Sequence, residues 1–414
     1  MRHVIGRGRA ERIGLASVLF AACVCLYSAP PALGASAFSV GGLGEPSLEE
    51  PARRRAMGGV GAAEHGPRNF SLVNPASAAE LEHLILEGTV LPGMRRVESL
   101  TYGSETARET TLPSLRALIR LPGKIVLGGA YLVGTNARFG IDRPETSGTS
   151  STLRIDGTGG INLIRITLAR RLSPSLNVGA DYEVIAGSFR EDWVRDFADT
   201  ALATTRDTLE AGWEHQGRWR LGAQVHRGAW SIGGVYELER RLPLVTTQRT
   251  AGTFVRREHQ SLLIPSGFAV GATGALSERL RIAAQYRRAN WSRDAIESDL
   301  VDFRPLERFG FGLEWLPSSD QTSFWKRLPL RLGGSLLRWP DLLPPAGAVD
   351  VSGGGVGVKE VTLSLGTGIH SQDRGGSIDF ALEAGTRGDR ETLGLREKFL
   401  RLAVTLQVSD DTWK

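Results

Sequence analysis

Cysteine is almost missing from this chain of 414 residues, because its only two, Cys23 and Cys25, lie near the N-terminus. The rest of the chain therefore excludes a disulfide scaffold, a cysteine-ligated zinc site and a cysteine nucleophile. Long apolar runs are also missing after residue 37, where nothing approaches the roughly 18 continuous apolar residues of a membrane-spanning helix. A long charge-free stretch at 260–277 is broken by Pro265 and by glycines, and is interpreted as strand and turn.

The first 37 residues have the layout of a secretory signal peptide. Four arginines and one glutamate precede an apolar run at 13–26, and small residues follow it. Cleavage after Gly34 or after Ala37 would fit, and the Ala-Ser-Ala form of 35–37 favours Ala37, while Cys23 leaves a lipoprotein signal as an alternative. Removal of this segment takes a net +3 from the formal charge of +5, which leaves about +2 and predicts no nucleic-acid partner.

Alternation of apolar and polar side chains recurs along the rest of the chain. It is clearest at 176–184, 230–239, 280–287, 378–384 and 400–408, where aromatic and aliphatic residues take one parity and charged residues or glycine the other. This pattern is typical of a transmembrane β-barrel, because every second side chain faces lipid and the others face a polar lumen. A closed barrel also satisfies its backbone hydrogen bonds within a bilayer. A secreted all-β sandwich or propeller is the alternative, since soluble antiparallel sheets alternate as well.

Fourteen strands are predicted for an all-β, antiparallel barrel, and this even number leaves both chain ends in the periplasm. Short turns, such as 121–124 and 172–175, are assigned to the periplasmic side, and long polar stretches, such as 137–160, 188–215 and 240–261, to extracellular loops. The predicted strands lie near 95–103, 111–121, 124–136, 161–171, 175–187, 216–226, 229–239, 262–273, 278–290, 307–316, 328–338, 357–369, 376–387 and 398–408.

The predicted domain organisation is a signal peptide at 1–37, an N-terminal segment at 38–94 and a barrel at 95–414. The middle segment is rich in glycine, alanine and proline and alternates poorly. A fourteen-stranded lumen is wide enough to need filling, so we expect residues 38–94 to fold back inside as a plug, or hatch. A disordered or periplasmic tail is the alternative. Residues 79–86 are expected to form a short helix or a leading strand.

Two motifs in the N-terminal segment are similar to those of a known family. They are a glycine-rich run with Gly58, Gly59 and Gly61, and the later triplet Asn74, Pro75 and Ala76. In this order they resemble the hatch of the FadL/TodX-type outer membrane transport family. The similarity continues through 264–271, 280–292 and 330–333. The chain departs from most such barrels at its end, where Trp413 is next to last instead of a terminal aromatic residue.

The resemblance implies a Gram-negative outer-membrane channel for passive uptake of hydrophobic small molecules, such as long-chain fatty acids or hydrocarbons. In this family a ligand is captured near the outer loops, enters the lumen and leaves sideways through a gap in the wall, while the hatch blocks free flow of water. The implied partners are the ligand, outer membrane lipid with lipopolysaccharide, and the barrel assembly machinery. The alternative is a β-barrel scaffold or shuttle for secreted proteins, or another role without transport.

Parity also predicts which polar side chains face the lumen. The candidates are Asp181, Glu183, Arg281, Gln285, Arg287, Glu314, Arg331, Asp379 and Glu383. Their mixed signs favour a wall cross-linked by ion pairs over an ion filter of one sign.

Enzyme motifs are missing, since the chain has no GxSxG elbow, no HExxH and no phosphate-binding glycine loop in a strand-to-helix context. His226 and Ser231 lie across a predicted hairpin, as a catalytic pair could, but chance alone would give this pairing. The other histidines are scattered. We therefore predict no enzyme, no metal site and no cofactor.

Overall fold

The computed structural model describes residues 36–410, except for 68, 83, 102, 146–148, 200, 297–301, 317–327, 345–353 and 371–375. The expected signal peptide lies outside this range apart from Ser36 and Ala37. Among the residues described, no helix is long and apolar enough to span a bilayer.

Fourteen antiparallel strands form one closed barrel, which confirms the predicted number and fold class. In chain order they are β1 (Leu84–Ser99), β2 (Gly103–Leu121), β3 (Ile125–Val133), β4 (Ser151–Ser173), β5 (Leu176–Phe197), β6 (Thr205–Trp213 and Gln216–Arg227), β7 (Trp230–Glu237 and Arg240–Thr250), β8 (Thr253–Ile264 and Gly267–Ala275), β9 (Leu280–Ala289), β10 (Leu306–Trp315), β11 (Leu330–Leu343), β12 (Val356–His370), β13 (Ser377–Asp389) and β14 (Leu395–Asp410). The last strand pairs with the first from end to end and closes the ring.

Several boundaries differ from the sequence-based prediction. The first strand begins at Leu84, eleven residues before the predicted start at 95. The stretches 188–215 and 240–261, expected to be loops, are mostly strand, because β5 continues to Phe197 and the hairpin of β7 and β8 extends to residues 250 and 253. Backbone pairing continues through these stretches, and Leu242, Leu244 and Leu262 are buried on their inner face.

Short elements complete the fold. Phe139–Glu145 and the start of β4 occupy most of the loop predicted at 137–160, because they pair with each other as a hairpin. The N-terminal segment contains helix α1 (Ala52–Arg55) and a 3-10 helix at Pro75–Glu80, so a short helix and a leading strand both occur near residues 79–86. A second short helix, α2 (Arg390–Leu393), lies between β13 and β14.

The two faces of the wall differ in polarity as alternation predicts. Leu363 is 68% exposed on the outer face, while its neighbour Ser364 is buried on the inner face. Tryptophans follow the girdle expected for a barrel only in part: Trp219, Trp230 and Trp315 are exposed, but Trp339 is fully buried. Trp339 packs against Phe38 of the N-terminal segment, with ring centroids 6.3 Å apart.

The barrel has two distinct ends. Tight connections join β2 to β3, β4 to β5, β6 to β7 and β8 to β9 at one end, which we call the short-turn end. At the opposite end, called the long-loop end, the ladder of β4 with β5 extends to the pair Ser151 with Phe197, and β7 joins β8 in an extended hairpin. By the usual rule for such barrels, the short-turn end faces the periplasm.

Candidate functional site

The N-terminal segment (residues 36–82, without 68) lies against the polar inner face of many wall strands. Ala52 N–H donates to Thr405 Oγ1 of β14 at 2.7 Å, and Gly61 N–H donates to Gln285 Oε1 of β9 at 2.8 Å. Ser364 Oγ of β12 donates to Ala56 O at 3.1 Å. These strands lie on different sides of the ring, and the segment contacts each of them on its inner face.

The Asn74-Pro75-Ala76 triplet forms the start of the 3-10 helix. Asn74 Oδ1 accepts from Ala76 N–H at 3.0 Å and caps the helix, while Pro75 takes the first position, where no N–H donor is needed. Asn74 Nδ2 donates to Ala62 O at 2.7 Å and to Ala223 O of β6 at 3.1 Å. A single buried side chain therefore joins the helix, the glycine-rich run and the wall.

Glycines allow backbone of the segment to touch backbone of the wall. Gly58 has φ +72° and Gly59 φ +75°, a region that favours glycine. On the wall, a Cβ at Gly312 would lie 2.5 Å from Met57 Cβ, and one at Gly179 would lie 2.6 Å from the carbonyl carbon of Pro75. Gly61 passes close to Ser71 within the segment itself. The glycine-rich composition is thus explained by close packing.

Ion pairs cross-link the inner face in a belt. Arg218 bridges Glu183 at 2.7 Å and Glu237 at 3.3 Å, and Arg165 contacts Glu183 as well as Glu49 of the N-terminal segment at 2.7 Å. Because these charges are buried, each depends on its partners to offset the loss of hydration.

A second group of ion pairs centres on Glu45 of the N-terminal segment. Arg387 lies 2.7 Å, Arg95 3.1 Å and Arg401 3.3 Å from its carboxylate oxygens. Burial alone would raise the pKa of Glu45, but Arg387 and Arg95 outweigh it and hold this pKa well below the ordinary value.

The structure places most of the predicted lumen residues in such networks. Arg331 binds Glu314 at 2.9 Å and Asp379 at 2.6 Å. Those that are buried are Asp181, Glu183, Gln285, Glu314, Arg331, Asp379 and Glu383. Arg287 is partly exposed and lies 3.1 Å from Glu237, whereas Arg281 is exposed near the short-turn end.

A cavity of about 1160 Å³, which includes space open to solvent, lies between the N-terminal segment and the wall. One side is apolar and includes Leu163, Ile185 and Ile264. The other side is charged, with Arg308 of β10 among its residues. Arg308 Nη2 donates to Ser335 Oγ at 3.3 Å and to Gly58 O at 3.4 Å, and no carboxylate pairs with it among the described residues.

A second cavity of about 910 Å³, measured in the same way, lies nearer the long-loop end. Its lining includes Phe189, Trp213, Leu244 and Leu262. Leu43 borders both cavities and is buried between them. On the side of β5 to β8 the inner face is therefore apolar towards the long loops, whereas on the side of β1, β13 and β14 the charged group around Glu45 lies towards the same end. Strict alternation did not predict this division.

The wall is interrupted beside the first cavity. The pairing of β6 with β7 stops at Arg220 opposite Glu237 and resumes at Trp213 opposite Leu244. In the next strand, β8 breaks at 265–266, where Pro265 has no N–H to donate and borders the cavity. Sequence reasoning missed this feature and the unpaired Arg308. Pro265, within a stretch that otherwise has the pattern of a strand, could have indicated the interruption of the wall.

Comparison with solved structures identifies the fold. The CymD monoaromatic hydrocarbon channel superposes with a TM-score of 0.58 at 16% identity, covering 87% of this chain and 97% of that chain. The toluene transporter TbuX of Ralstonia pickettii gives 0.56 at 15% identity, with 88% and 99% covered. A FadL homologue of Pseudomonas aeruginosa gives 0.58 at 12% identity, with 87% and 98% covered. At such identities the likeness shows the fold alone.

Comparison at the level of sequence identifies the family. A search of curated protein sequences gives no match. The family model BamG matches residues 13–227 and 244–414, which is most of the chain. The chain therefore belongs to the BamG family, and its fold is that of the FadL-type β-barrels.

Proposed function

We propose that this protein conducts hydrophobic or amphipathic small molecules passively across the outer membrane of a Gram-negative bacterium. The observation that carries this proposal is the apolar inner lining towards the long-loop end, continued by a cavity with one apolar and one charged side. A water-filled porin has a polar interior, whereas an apolar lining lowers the free energy of a greasy solute on its way through.

The route we propose has three parts. A ligand enters from the long-loop end into the cavity around Trp213 and Leu244, passes Leu43 and reaches the first cavity. It leaves through the wall at 214–219 and 238–243, where the ladder between β6 and β7 is interrupted. The exit would deliver the ligand sideways, past Arg218 at the edge of the charged belt.

In this proposal the N-terminal segment acts as the hatch. It fills the lumen towards the short-turn end and makes hydrogen bonds on several strands, so free flow of water is blocked. Leu43 belongs to this segment and borders both cavities, so a movement of 41–49 would join them.

Arg308 distinguishes the two ligand classes. Its guanidinium has no carboxylate partner among the described residues, and a ligand carboxylate would supply one. Fatty acids offer this group, whereas neutral aromatic hydrocarbons do not. We therefore propose an amphipathic ligand with an anionic end.

Binding of a fluorescent fatty acid and of toluene to the purified protein in detergent tests the proposal. Arg308→Gln is expected to weaken fatty-acid binding by about tenfold or more, because a charged hydrogen bond to the ligand is lost, and to leave toluene binding unchanged. Arg256→Gln, at a strongly exposed position, is the matched control. Binding of neither ligand to the wild-type protein would contradict the proposal. Equal weakening for both would contradict the anionic end.

A second function is favoured by the family name. BamG suggests a link to the barrel assembly machinery. In that case the barrel would act as a partner or scaffold for other outer-membrane or secreted proteins. Co-purification with that machinery, together with unaltered lipid uptake after deletion of the gene, would favour this role over transport.

A further inference from the structure

Three side chains with metal-binding chemistry meet at the short-turn end, away from both cavities. His65 and Glu80 belong to the N-terminal segment, and His226 lies at the end of β6. His65 Nδ1 is 3.5 Å from Glu80 Oε2, and His226 Nε2 is 3.6 Å from Glu80 Oε1. One ligand atom from each residue lies within 4.8 Å of the other two, and the imidazole centroids are 4.1 Å apart.

The second nitrogen of His226 is held in the way that metal-binding histidines require. Nδ1 lies 3.0 Å from Ser231 Oγ of β7. When Nδ1–H donates to this hydroxyl, Nε2 carries the free lone pair and faces Glu80. Ser231 is 1% exposed, so no substrate can reach it as a nucleophile. The pair His226–Ser231 therefore fits a ligand with its supporting hydrogen bond better than a catalytic pair.

Asn177 of β5 marks the point where the lone pairs converge. Its Nδ2 lies 3.1 Å from Glu80 Oε1 and 2.9 Å from His226 Nε2, so one amide group lies between two ligand atoms. Asn177 is fully buried, and its Oδ1 has no hydrogen-bond partner. Rotation of the amide by a half-turn would exchange Oδ1 and Nδ2. Oδ1 would then point between Glu80 and His226, where a fourth metal ligand would lie.

We propose that His65, Glu80 and His226 bind a divalent transition metal, with Zn²⁺ as the best fit, and that Asn177 Oδ1 completes a tetrahedral site. Two imidazoles with one carboxylate suit Zn²⁺. Bonds of about 2.0–2.2 Å place neighbouring tetrahedral ligands roughly 3.3–3.5 Å apart, near the two spacings to Glu80. The site has water access through His65, whose side chain is 38% exposed.

Among the described residues, Arg171 is the one further charged side chain that lies within ion-pair distance of this cluster. Its Nη2 lies 3.9 Å from Glu80 Oε1 and also donates to Pro174 O at 2.7 Å. Since the Arg171 side chain is 44% exposed, it can turn into solvent when a cation takes its place beside Glu80.

The metal would join the N-terminal segment to the wall. His65 and Glu80 flank the stretch that contains Asn74, and His226 fixes the metal to β6. Binding would close a loop within the segment and restrain it at the short-turn end. This inference is independent of the proposed transport, because it requires only the contacts of these residues.

Titration of the full mature protein in detergent, after removal of metals with a chelator, tests the site. Zn²⁺ is expected to bind with one equivalent per chain by calorimetry, and Co²⁺ to give the visible absorption of a tetrahedral site. His226→Ala and Glu80→Gln are expected to weaken Zn²⁺ binding by more than about 100-fold. Ser231→Ala is expected to weaken it by about 10–100-fold, because it removes the support of His226.

His215→Ala serves as the matched control, because His215 is exposed and lies outside the cluster. Heat-modified mobility on gels verifies that each variant is folded. A second readout is protease cleavage of 62–80, which Zn²⁺ should slow in the wild-type protein and not in His226→Ala. Failure of the wild-type protein to bind Zn²⁺, or equal binding by a folded His226→Ala variant, would overturn the proposal.

Discussion

Buried carboxylates of the N-terminal segment each organise several donors. Glu50 Oε1 accepts from Ser71 Oγ at 2.7 Å, Val73 N–H at 2.8 Å and Leu72 N–H at 2.9 Å. Glu45 does the same for three arginines of the wall. Since a buried donor without its acceptor costs more than a hydrogen bond contributes, these two residues should matter more than any exposed ion pair.

Glu45→Gln should reduce the free energy of unfolding by roughly 3–5 kcal/mol at pH 7, because it leaves two buried arginines and one partly buried arginine with less compensating charge. The lowered pKa of Glu45 gives this effect a pH dependence. The stabilisation is complete above the ordinary pKa of 4.5 and is lost as the pH falls through the lowered value. Unfolding by denaturant in micelles at pH 7 and below pH 4 measures both.

Glu210→Gln is the control for that experiment, since Glu210 forms an exposed pair with Arg190 and should change stability by only about 0–1 kcal/mol. A difference between Glu45→Gln and the wild-type protein that persists undiminished in acid would contradict the role given to the ionised carboxylate.

For single residues, the alternation of the sequence carries information about the face of the wall and about nothing else. Parity selects a face for Arg331 and Glu383, and the structure has both buried. It is silent on Glu45 and on the cluster of His65 with Glu80, because their neighbours in space come from strands far along the chain. Alternation specifies a side of the wall but no partner.

At the scale of elements, glycine positions on the wall set how closely the N-terminal segment docks. Gly312→Ala should destabilise docking by about 1–3 kcal/mol, because the new Cβ would lie 2.6 Å from Met57 O and 2.5 Å from Met57 Cβ. Limited proteolysis of 50–62 should then accelerate. Gly129→Ala, with nothing within 4 Å of its Cβ, should leave the rate unchanged. Equal rates in both variants would argue against tight docking.

The outer face of β12 supplies a test of membrane orientation. Leu363→Arg should cost roughly 2–4 kcal/mol and impair assembly, because the side chain is 68% exposed on the face assigned to lipid. Leu363→Ala is the matched control and should assemble normally. Membrane fractionation with heat-modified gel mobility measures the folded fraction. Normal assembly of the arginine variant would contradict the assignment.

Parity alone would suggest that arginine is tolerated at Ser364 or Ala403 on the inner face. The structure corrects this expectation. Ser364 Oγ donates to Ala56 O, and Ala403 packs in a cluster with Ala52 and Ala56, so neither position has room. The number of strands follows from local periodicity, whereas the filling of the lumen depends on contacts over more than 300 residues of sequence.

At the scale of the whole molecule, the proposed route predicts that the N-terminal segment moves during transport. The near absence of cysteine allows a direct test, because both native cysteines lie in the expected signal peptide. A Cβ at Gly271 would lie 3.3 Å from Ala62 Cβ, close to the 3.5–4.5 Å of a disulfide. The pair Ala62→Cys with Gly271→Cys should therefore tether the segment to β8.

Oxidation of this double variant should abolish uptake of a labelled fatty acid by whole cells, and a reducing agent should restore it. The single variant Ala62→Cys should transport normally in both conditions. Undiminished uptake with the disulfide formed would mean that the ligand passes without movement of the segment near Ala62.

The seam between β1 and β14 has a consequence for biogenesis. Its paired residues lie about 300 residues apart in the chain, from Ser99 with Leu395 to Leu84 with Asp410, so the ring closes only when β14 meets β1. The interior stretch belongs to the polypeptide made first and must already be seated when the seam joins. If the barrel closed before the N-terminal segment was in place, the segment would remain outside. The machinery that inserts the protein must therefore control the order of these two events.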